Sequence, residues 1–497
     1  MDIENKKLKT REELLSIVGQ RPRSKKVIMV HGHFDVLHVG HVRHMLYAKE
    51  KADILIASLT CDAHITKGNY RPHVPQELRA LHLAAHEIVD YVLIDENATA
   101  IESLRILQPD FYAKGFEYEK DRRVDEERAT IDAYGGQMIF TPGDIVYSSS
   151  VLIEAEPPDI AVEKLLMLMQ AEGITFDSLR AALDAMKQIS VHVVGDTIVD
   201  GYTYASMIGS STSKTPTISG RYERNMDYVG GAGIVAKHMR ATGARVTLST
   251  ILGDDDRAEF VLRDCAAHGI EPLALIDGTR PTTHKQVVTV SGYRMLRLDT
   301  LDNRPISGAL TAELVTRIAA IPADAVVFSD FRHGIFSAAS IPALCAAIPA
   351  TMPKAADSQV ASRWGNILDF RGFDLITPNE REARFALGDQ DSTVRHLAGE
   401  LQRRAQAKTV ILKCGPHGIV AKDGERMLTL DSFTRDVVDP VGAGDALLAY
   451  ATLALKSGAV TASILGSIAA ALECEQEGNI PITPDMVRER IALLERM

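Results

Sequence analysis

The chain has 497 residues, 46% hydrophobic and 24% charged, with 55 lysines and arginines against 66 aspartates and glutamates and a formal net charge of -11. That length exceeds one compact core and suits two or three domains, while the acidic balance excludes a general nucleic-acid binder, which needs a basic face. No apolar stretch is long enough to span a bilayer, the start Met1–Lys6 is charged, and five cysteines (Cys61, Cys265, Cys345, Cys414, Cys474) lack zinc or redox spacing, so a cytoplasmic protein with reduced thiols and no membrane partner is expected.

In chain order, the first predicted strand is Val27-Ile28-Met29-Val30, an apolar run that ends at once in Gly32 and a polar turn. Buried parallel strands read this way, and open α/β sheets bind ligands at such C-terminal turns. Further strand-like runs at Ile54–Ala57 and Tyr91–Ile94, with helix-like stretches between, give a βαβ rhythm. The turn itself reads His31-Gly32-His33-Phe34-Asp35-Val36-Leu37-His38-Val39-Gly40-His41. Backbone amides at the helix start favour anions, and His38 and His41, three apart, share one face of the first turn. Two imidazoles placed there can donate to a triphosphate while charge builds at its α-phosphorus, in a reaction that needs positioning and charge stabilisation above all. A metal site built from His31, His33, His38, His41 and His44 is the lesser reading, because it leaves the glycines unexplained. Asp35 is expected to orient the turn.

This segment resembles the HxGH signature of the cytidylyltransferase-like nucleotidyltransferases. Lys67-Gly68, Arg71-Pro72, Glu77-Leu78-Arg79, Lys114-Gly115 and Ser148-Ser149-Ser150 resemble later motifs of that family in the right order, over about residues 25–153. The resemblance implies that His38, His41 and Lys67 act in catalysis. It also implies that Gly32, His33, Phe34, Lys114, Gly115, Ser148, Ser149 and Ser150 contact the nucleotide.

Pro157-Pro158 flanked by acids marks a break, followed by two amphipathic helices, Ile160–Met169 and Phe176–Met186, read as a helical linker over 154–189. Val191–Val194 then opens a second strand, ending in Gly195-Asp196. Far downstream, Asp439-Pro440-Val441-Gly442-Ala443-Gly444-Asp445 leads into a helix at Ala446–Leu455. Gly442, Ala443 and Gly444 can aim successive amides at one anion, and Asp445 beside them can take a proton from a substrate hydroxyl while a γ-phosphoryl group moves.

This looks like the ribokinase (PfkB) signature, in which the residue at the Asp445 position is the catalytic base. Over about 190–490, the resemblance assigns substrate contacts to Asp196, Asp200, Gly230, Gly231, Lys285 and Arg297. It assigns nucleotide contacts to Asn379, Glu382, Lys413, Gly415, Gly418 and Gly442–Gly444, with Lys413–Gly418 flanking the adenine. Magnesium is expected near Glu382, and Asp439 supports its loop or a monovalent cation. The expected architecture is therefore α/β throughout: a Rossmann-like HxGH nucleotidyltransferase domain at 1–153, and a ribokinase-like domain with a small β lid at 190–497.

Together the halves resemble the bifunctional heptose-phosphate kinase/adenylyltransferases that make ADP-heptose, with the domain order reversed; Lys214-Thr215-Pro216 and Ser329-Asp330-Phe331 add to the match. Ile234 stands where those kinases have asparagine, and Asp357-Ser358-Gln359 departs at a second turn, which leaves the sugar open. ATP and Mg2+ are the implied cofactors, small sugar phosphates the substrates, and a homodimer the expected assembly. Two alternatives stay open: CTP with an alditol or glycerol phosphate at the first site, or one half acting as a non-catalytic regulatory module.

Overall fold

The computed structural model describes residues 6–65, 71–115, 118, 124–141, 161–208, 219–359 and 366–496. Lys67, Gly68, Ser148, Ser149, Ser150 and the Lys214-Thr215-Pro216 segment lie outside the described residues. The chain divides into two compact units, Met1–Ile160 and Ala161–Met497, each described by itself.

The first unit is built on strands β1 (Val27–Gly32), β2 (Ile54–Thr60), β3 (Tyr91–Asp95), β4 (Phe111–Gly115) and β5 (Gln137–Thr141). All pair in parallel in the order β3-β2-β1-β4-β5. The first four residues of β1 are buried, as its run of Val, Ile and Met demands for a central strand covered on both faces. Chain order reverses between β1 and β4, so the C-terminal ends of these two strands frame the crevice where such sheets take ligands. The histidine turn leaves β1 there, and Lys114-Gly115 ends β4 there.

The second unit has two sheets. Its central sheet contains β6 (Ser190–Gly195), β9 (Arg245–Leu252), β10 (Glu271–Ile276), β13 (Ala325–Asp330), β14 (Lys354–Ser358), β15 (Leu375–Ile376), β16 (Thr409–Lys413), β17 (Ile419–Asp423) and β18 (Arg426–Leu430). The order is β10-β9-β6-β13-β14-β15-β16-β17-β18, parallel as far as β16 and antiparallel in the last two pairings. The lid sheet, β12-β11-β7-β8, holds β7 (Thr197–Ile208), β8 (Ser219–Gly231), β11 (His284–Val290) and β12 (Tyr293–Thr300). Only Asp196 separates β6 from β7, so the chain passes from the central sheet into the lid with a single intervening residue.

The segment expected as a linker has a different place from Ala161 onward. Its helices, Ala161–Ala171 and Phe176–Ala185, bury Leu165, Met169, Leu179 and Leu183 in the same cluster as Val191, Val193 and Leu248. Apolar residues four apart make a stripe on a helix, and here that stripe completes the core of the second unit. Thr175 caps the second helix by accepting from Ser178 N.

Candidate functional sites

In the first unit, His38 is the N-cap of the helix Val39–Lys49, its Nδ1 accepting from Gly40 N at 3.1 Å. With Nδ1 used as an acceptor, the neutral ring carries its proton on Nε2 and keeps a donor. The His38 and His41 ring centroids are 4.0 Å apart, and His41 meets the buried Phe34 edge-on at 5.2 Å. Burial, followed by the neighbouring His38 and His44, pushes His41 down to about 3, so it stands neutral at physiological pH. His44 is pushed down to about 4 by burial and then Lys114. Thr141 donates its hydroxyl proton to Lys114 O at 3.3 Å, so the 3.0 Å contact with His44 is a donation from His44 Nδ1. His31 contacts Ser58 and Thr60 hydroxyls at 2.9 and 3.2 Å. These histidines are thus taken up by a cap, hydroxyls and ring packing. Among the described residues no group of three His, Cys, Asp or Glu side chains is arranged to hold a metal ion.

Lys114 is pinned at the end of β4 by Glu127, Nζ to Oε2 at 3.0 Å, and Glu127 also accepts from Tyr112 Oη at 3.0 Å. Asp35 accepts from His73 N and Val74 N, at 2.8 and 3.0 Å, and so holds the turn as expected. The buried Arg79 donates to Val74 O and Thr60 O at 2.9 Å and also to His33 O. Its place in the Glu77-Leu78-Arg79 motif is to fasten three loops around the crevice.

In the second unit, one cavity of about 1090 Å³ is lined by Asp200, Lys285 and Arg297 of the lid sheet and by Lys413, Gly442–Gly444 and Asp445. Gly442 caps the helix Ala443–Ala454 at a left-handed φ of 87°, and the amides of Asp445 and Ala446 bond back to its carbonyl at 2.9 and 3.0 Å. Asp445 is buried at the helix start. Burial first, and Asp357 second, push its carboxyl up to about 8.

Asp200 sits on β7 with Lys285 of β11 as its registered neighbour. Burial raises Asp200 and lowers Lys285, and each opposes the shift of the other. Lys285 Nζ also lies 5.3 Å from the centroid of the Phe331 ring. Asn479, which the sequence reading missed, donates to Asp200 Oδ2 at 2.7 Å across 279 positions. A Cβ on Gly230 would lie 2.0 Å from that same oxygen. Gly230→Ala is therefore expected to displace Asp200 and, where Asp200 contacts a substrate as the resemblance implies, to lower kcat/KM by about 10²-fold, the usual result of an ångström-scale misplacement; steady-state kinetics of the variant check it. Gly231 lines the cavity. Arg297 also lines it and is held within its strand by Asp299 at 2.8 Å.

Three expectations change. Asp196 does not reach the cavity: its carboxylate accepts backbone amides of Phe331, His333 and Ile335, at 3.0, 3.1 and 3.4 Å, and braces that turn. Asp439 does not fit as a cation ligand, because Arg294 of β12 already neutralises it at 2.6 Å and Val441 N bonds its other oxygen at 3.2 Å. Ile234 is wholly buried on the helix Ala232–Ala241, an apolar core residue with no exposure to a sugar.

The residues expected at the nucleotide, Asn379, Glu382, Lys413, Gly415, Gly418 and Gly442–Gly444, all line this cavity. Asn379 and Glu382 form a capping box, 2.9 and 2.7 Å, at the start of the helix Glu380–Leu387. Gly415 and Gly418 shape the turn between β16 and β17, where Cys414 N bonds Gly418 O at 2.8 Å, and both line the cavity. Glu382 fits a divalent cation: it lines the cavity, and burial followed by Asp357 pushes it up to about 7, a shift that a bound cation reverses.

Residues 188–486 match the family described as pfkB family carbohydrate kinase, and residues 29–155 match the cytidylyltransferase-like family. The chain is similar to the Bifunctional protein HldE of Rhodopseudomonas palustris (strain ATCC BAA-98 / CGA009), 31% identical over 330 residues, 63% of this chain and 66% of that one. It is also similar to the protein of that name in Nitrobacter hamburgensis, 30% identical over 330 residues, 64% and 65% of the two chains. The chain thus spans just under two thirds of the length of these relatives. Among solved structures, phosphofructokinase-2 from Escherichia coli in complex with substrates and products has a TM-score of 0.53 at 18% identity, over 62% of this chain and 100% of that one, which shows a shared fold.

Proposed function

The chain belongs to the pfkB family of carbohydrate kinases, and from that premise we propose that it is a bifunctional enzyme of nucleotide-activated sugar synthesis. The second unit phosphorylates a sugar or sugar phosphate with ATP. The first transfers a nucleotidyl group, AMP, to a sugar 1-phosphate and releases pyrophosphate. One observation carries this reading: a single cavity is lined both by a buried carboxylate, Asp445, beside a glycine turn and by the Asp200–Lys285 pair. Asp445 takes the proton of the acceptor hydroxyl, the Gly442–Gly444 amides hold the moving phosphoryl group, and Asp200 orients the sugar. Mg2+, held by Glu382, supplies charge neutralisation on the triphosphate when bound. The relatives named HldE support the pairing of the two activities.

At the first site the crevice beside His38, His41 and Lys114 receives the triphosphate. The cytidylyltransferase-like match supports a second reading there, with CTP and an alditol or glycerol phosphate as substrates. Incubating the purified chain with sugar phosphates and each nucleoside triphosphate, read by mass spectrometry, tests both. An ADP-sugar supports the first reading, a CDP-alditol the second, and no phosphorylated or nucleotidylated product with any pair ends the proposal.

The protein is placed in the cytoplasm, in keeping with five cysteines that are all free thiols. It works as a homodimer through the lid, where Met207, Tyr222, Tyr293 and Leu298 are exposed. An apolar lid face of this kind favours a partner. Light scattering is expected to give about twice the 54.2 kDa of one chain, and Tyr222→Glu with Leu298→Glu to give the monomer; a monomeric unaltered chain refutes the dimer.

A further inference from the structure

Lys413, at the end of β16, was expected to flank the adenine. Its ammonium borders the glycine turn. Nζ is 2.8 Å from Asp357 Oδ2, and a Cβ placed on Gly444 would come within 3.0 Å of Nζ. The lysine therefore lies directly against the glycine turn that opens the helix Ala443–Ala454. Three carboxyls face it: Asp357, Glu382 and Asp445. Burial alone would lower Lys413, but these neighbours hold it charged. Asp357 Oδ1 is buried without a hydrogen-bond partner, so Lys413 is the group that compensates this carboxylate. The ammonium is thus fixed by Asp357 on one side and borders the anion-binding turn and the base on the other, a position from which it can also face an incoming anion.

Resting on the kinase reading above, we propose that Lys413 is a catalytic cation of phosphoryl transfer: its ammonium, aimed by Asp357 past Gly444, contacts the γ-phosphoryl group of the nucleoside triphosphate while Asp445 receives the acceptor proton. In that step the sugar oxygen forms its bond to the γ-phosphorus and its proton passes to Asp445. The bond from the γ-phosphorus to the β,γ-bridging oxygen breaks, and ADP leaves with the electron pair. Negative charge spreads over the equatorial oxygens as they pass Lys413, where a fixed cation stabilises the transition state more than the ground state. The empty space at Gly444 is what lets the ammonium approach the turn; any side chain there would separate the cation from the phosphoryl site.

The test compares the full chain with Lys413→Met and Lys413→Arg in the sugar-kinase assay, using β,γ-imido-ATP and ADP as competitive inhibitors against ATP. Lys413→Met is expected to lower kcat by about 10²-fold and to raise the inhibition constant of the imido analogue by about tenfold or more, while that of ADP, which lacks the γ-phosphoryl group, stays within about twofold. Lys413→Arg keeps the charge and is expected to fall between. If both inhibition constants rise together, the lysine serves the adenine side and the proposal is overturned; it is equally overturned if neither moves. Thermal melting of the second unit within a few degrees of the unaltered chain, together with unchanged ADP inhibition, shows that it is folded in both variants. A chain with no sugar-kinase activity before any substitution defeats the functional reading itself, an outcome separate from either pattern of inhibition.

Discussion

Asp445→Asn is expected to abolish sugar phosphorylation, with a loss of about 10²- to 10⁴-fold, the range of a general base removed from a proton-transfer step, and to leave pyrophosphate release at the first site intact. The asparagine keeps the shape of the side chain and its place at the helix start but cannot accept the proton. Two further readouts distinguish this loss from a damaged fold. The unaltered kinase is expected to gain activity as pH rises toward about 8, the value to which burial and then Asp357 push this carboxyl. The groups around it set that value in opposing directions: Asp357 and Asp200 raise it, Lys413 and Lys285 lower it. Stability runs the other way. A carboxyl whose folded value lies above its unfolded value of about 4 binds more protons in the folded state, so its contribution to stability falls as pH rises through the interval up to about 8. Asparagine carries no such cost. Asp445→Asn is therefore expected to melt higher than the unaltered chain, and by a wider margin at pH 9 than at pH 6. A variant that loses activity and also melts lower at pH 9 contradicts the assignment.

His41→Ala is expected to have the mirrored effect: pyrophosphate release falls by about 10²- to 10³-fold, the loss seen when one preorganised donor to a developing charge is removed, and sugar phosphorylation continues. His41 is the more informative of the two histidines. His38 also caps its helix through Gly40 N, so its removal disturbs the fold as well as the chemistry. Burial and then two neighbouring imidazoles keep His41 neutral; a triphosphate brought beside it favours the protonated ring and strengthens its hydrogen bond as charge builds. Retention of pyrophosphate release in His41→Ala, measured with the nucleotide and sugar phosphate that the unaltered chain uses, would remove the histidine pair from the mechanism.

Much of this was legible in the sequence because the decisive chemistry is local. A glycine turn before a helix, with a carboxylate one residue past it, has one economical reading, and Gly442–Asp445 fold that way. The histidine turn after β1 is equally local. What escaped was long-range. Asp196 resembled a ligand residue by position, yet it is occupied by three amides more than 130 positions away. Asn479 gives no local signal that it will steady Asp200. Asp439 drew a cation in the sequence reading because nothing near it in the chain announces Arg294. Ile234 seemed to alter the sugar contact and instead fills the core, since helical phase, which a single motif does not fix, decides which side of Ala232–Ala241 it takes. The helices after Pro157-Pro158 had the right type, but which core they would join depended on packing partners such as Val191 and Leu248.

The direct passage from β6 into β7 through Asp196 makes the lid an extension of the central sheet, without a slack hinge. Three amides clamp the connecting residue, and Asp200 projects only four positions further on. Opening the cover must then flex a long strand as a leaf spring does, and the sugar presses on that spring close to its fixed end. Substitutions far out along β7 and its neighbour β8 are therefore expected to change how fast product leaves without touching anything that binds it.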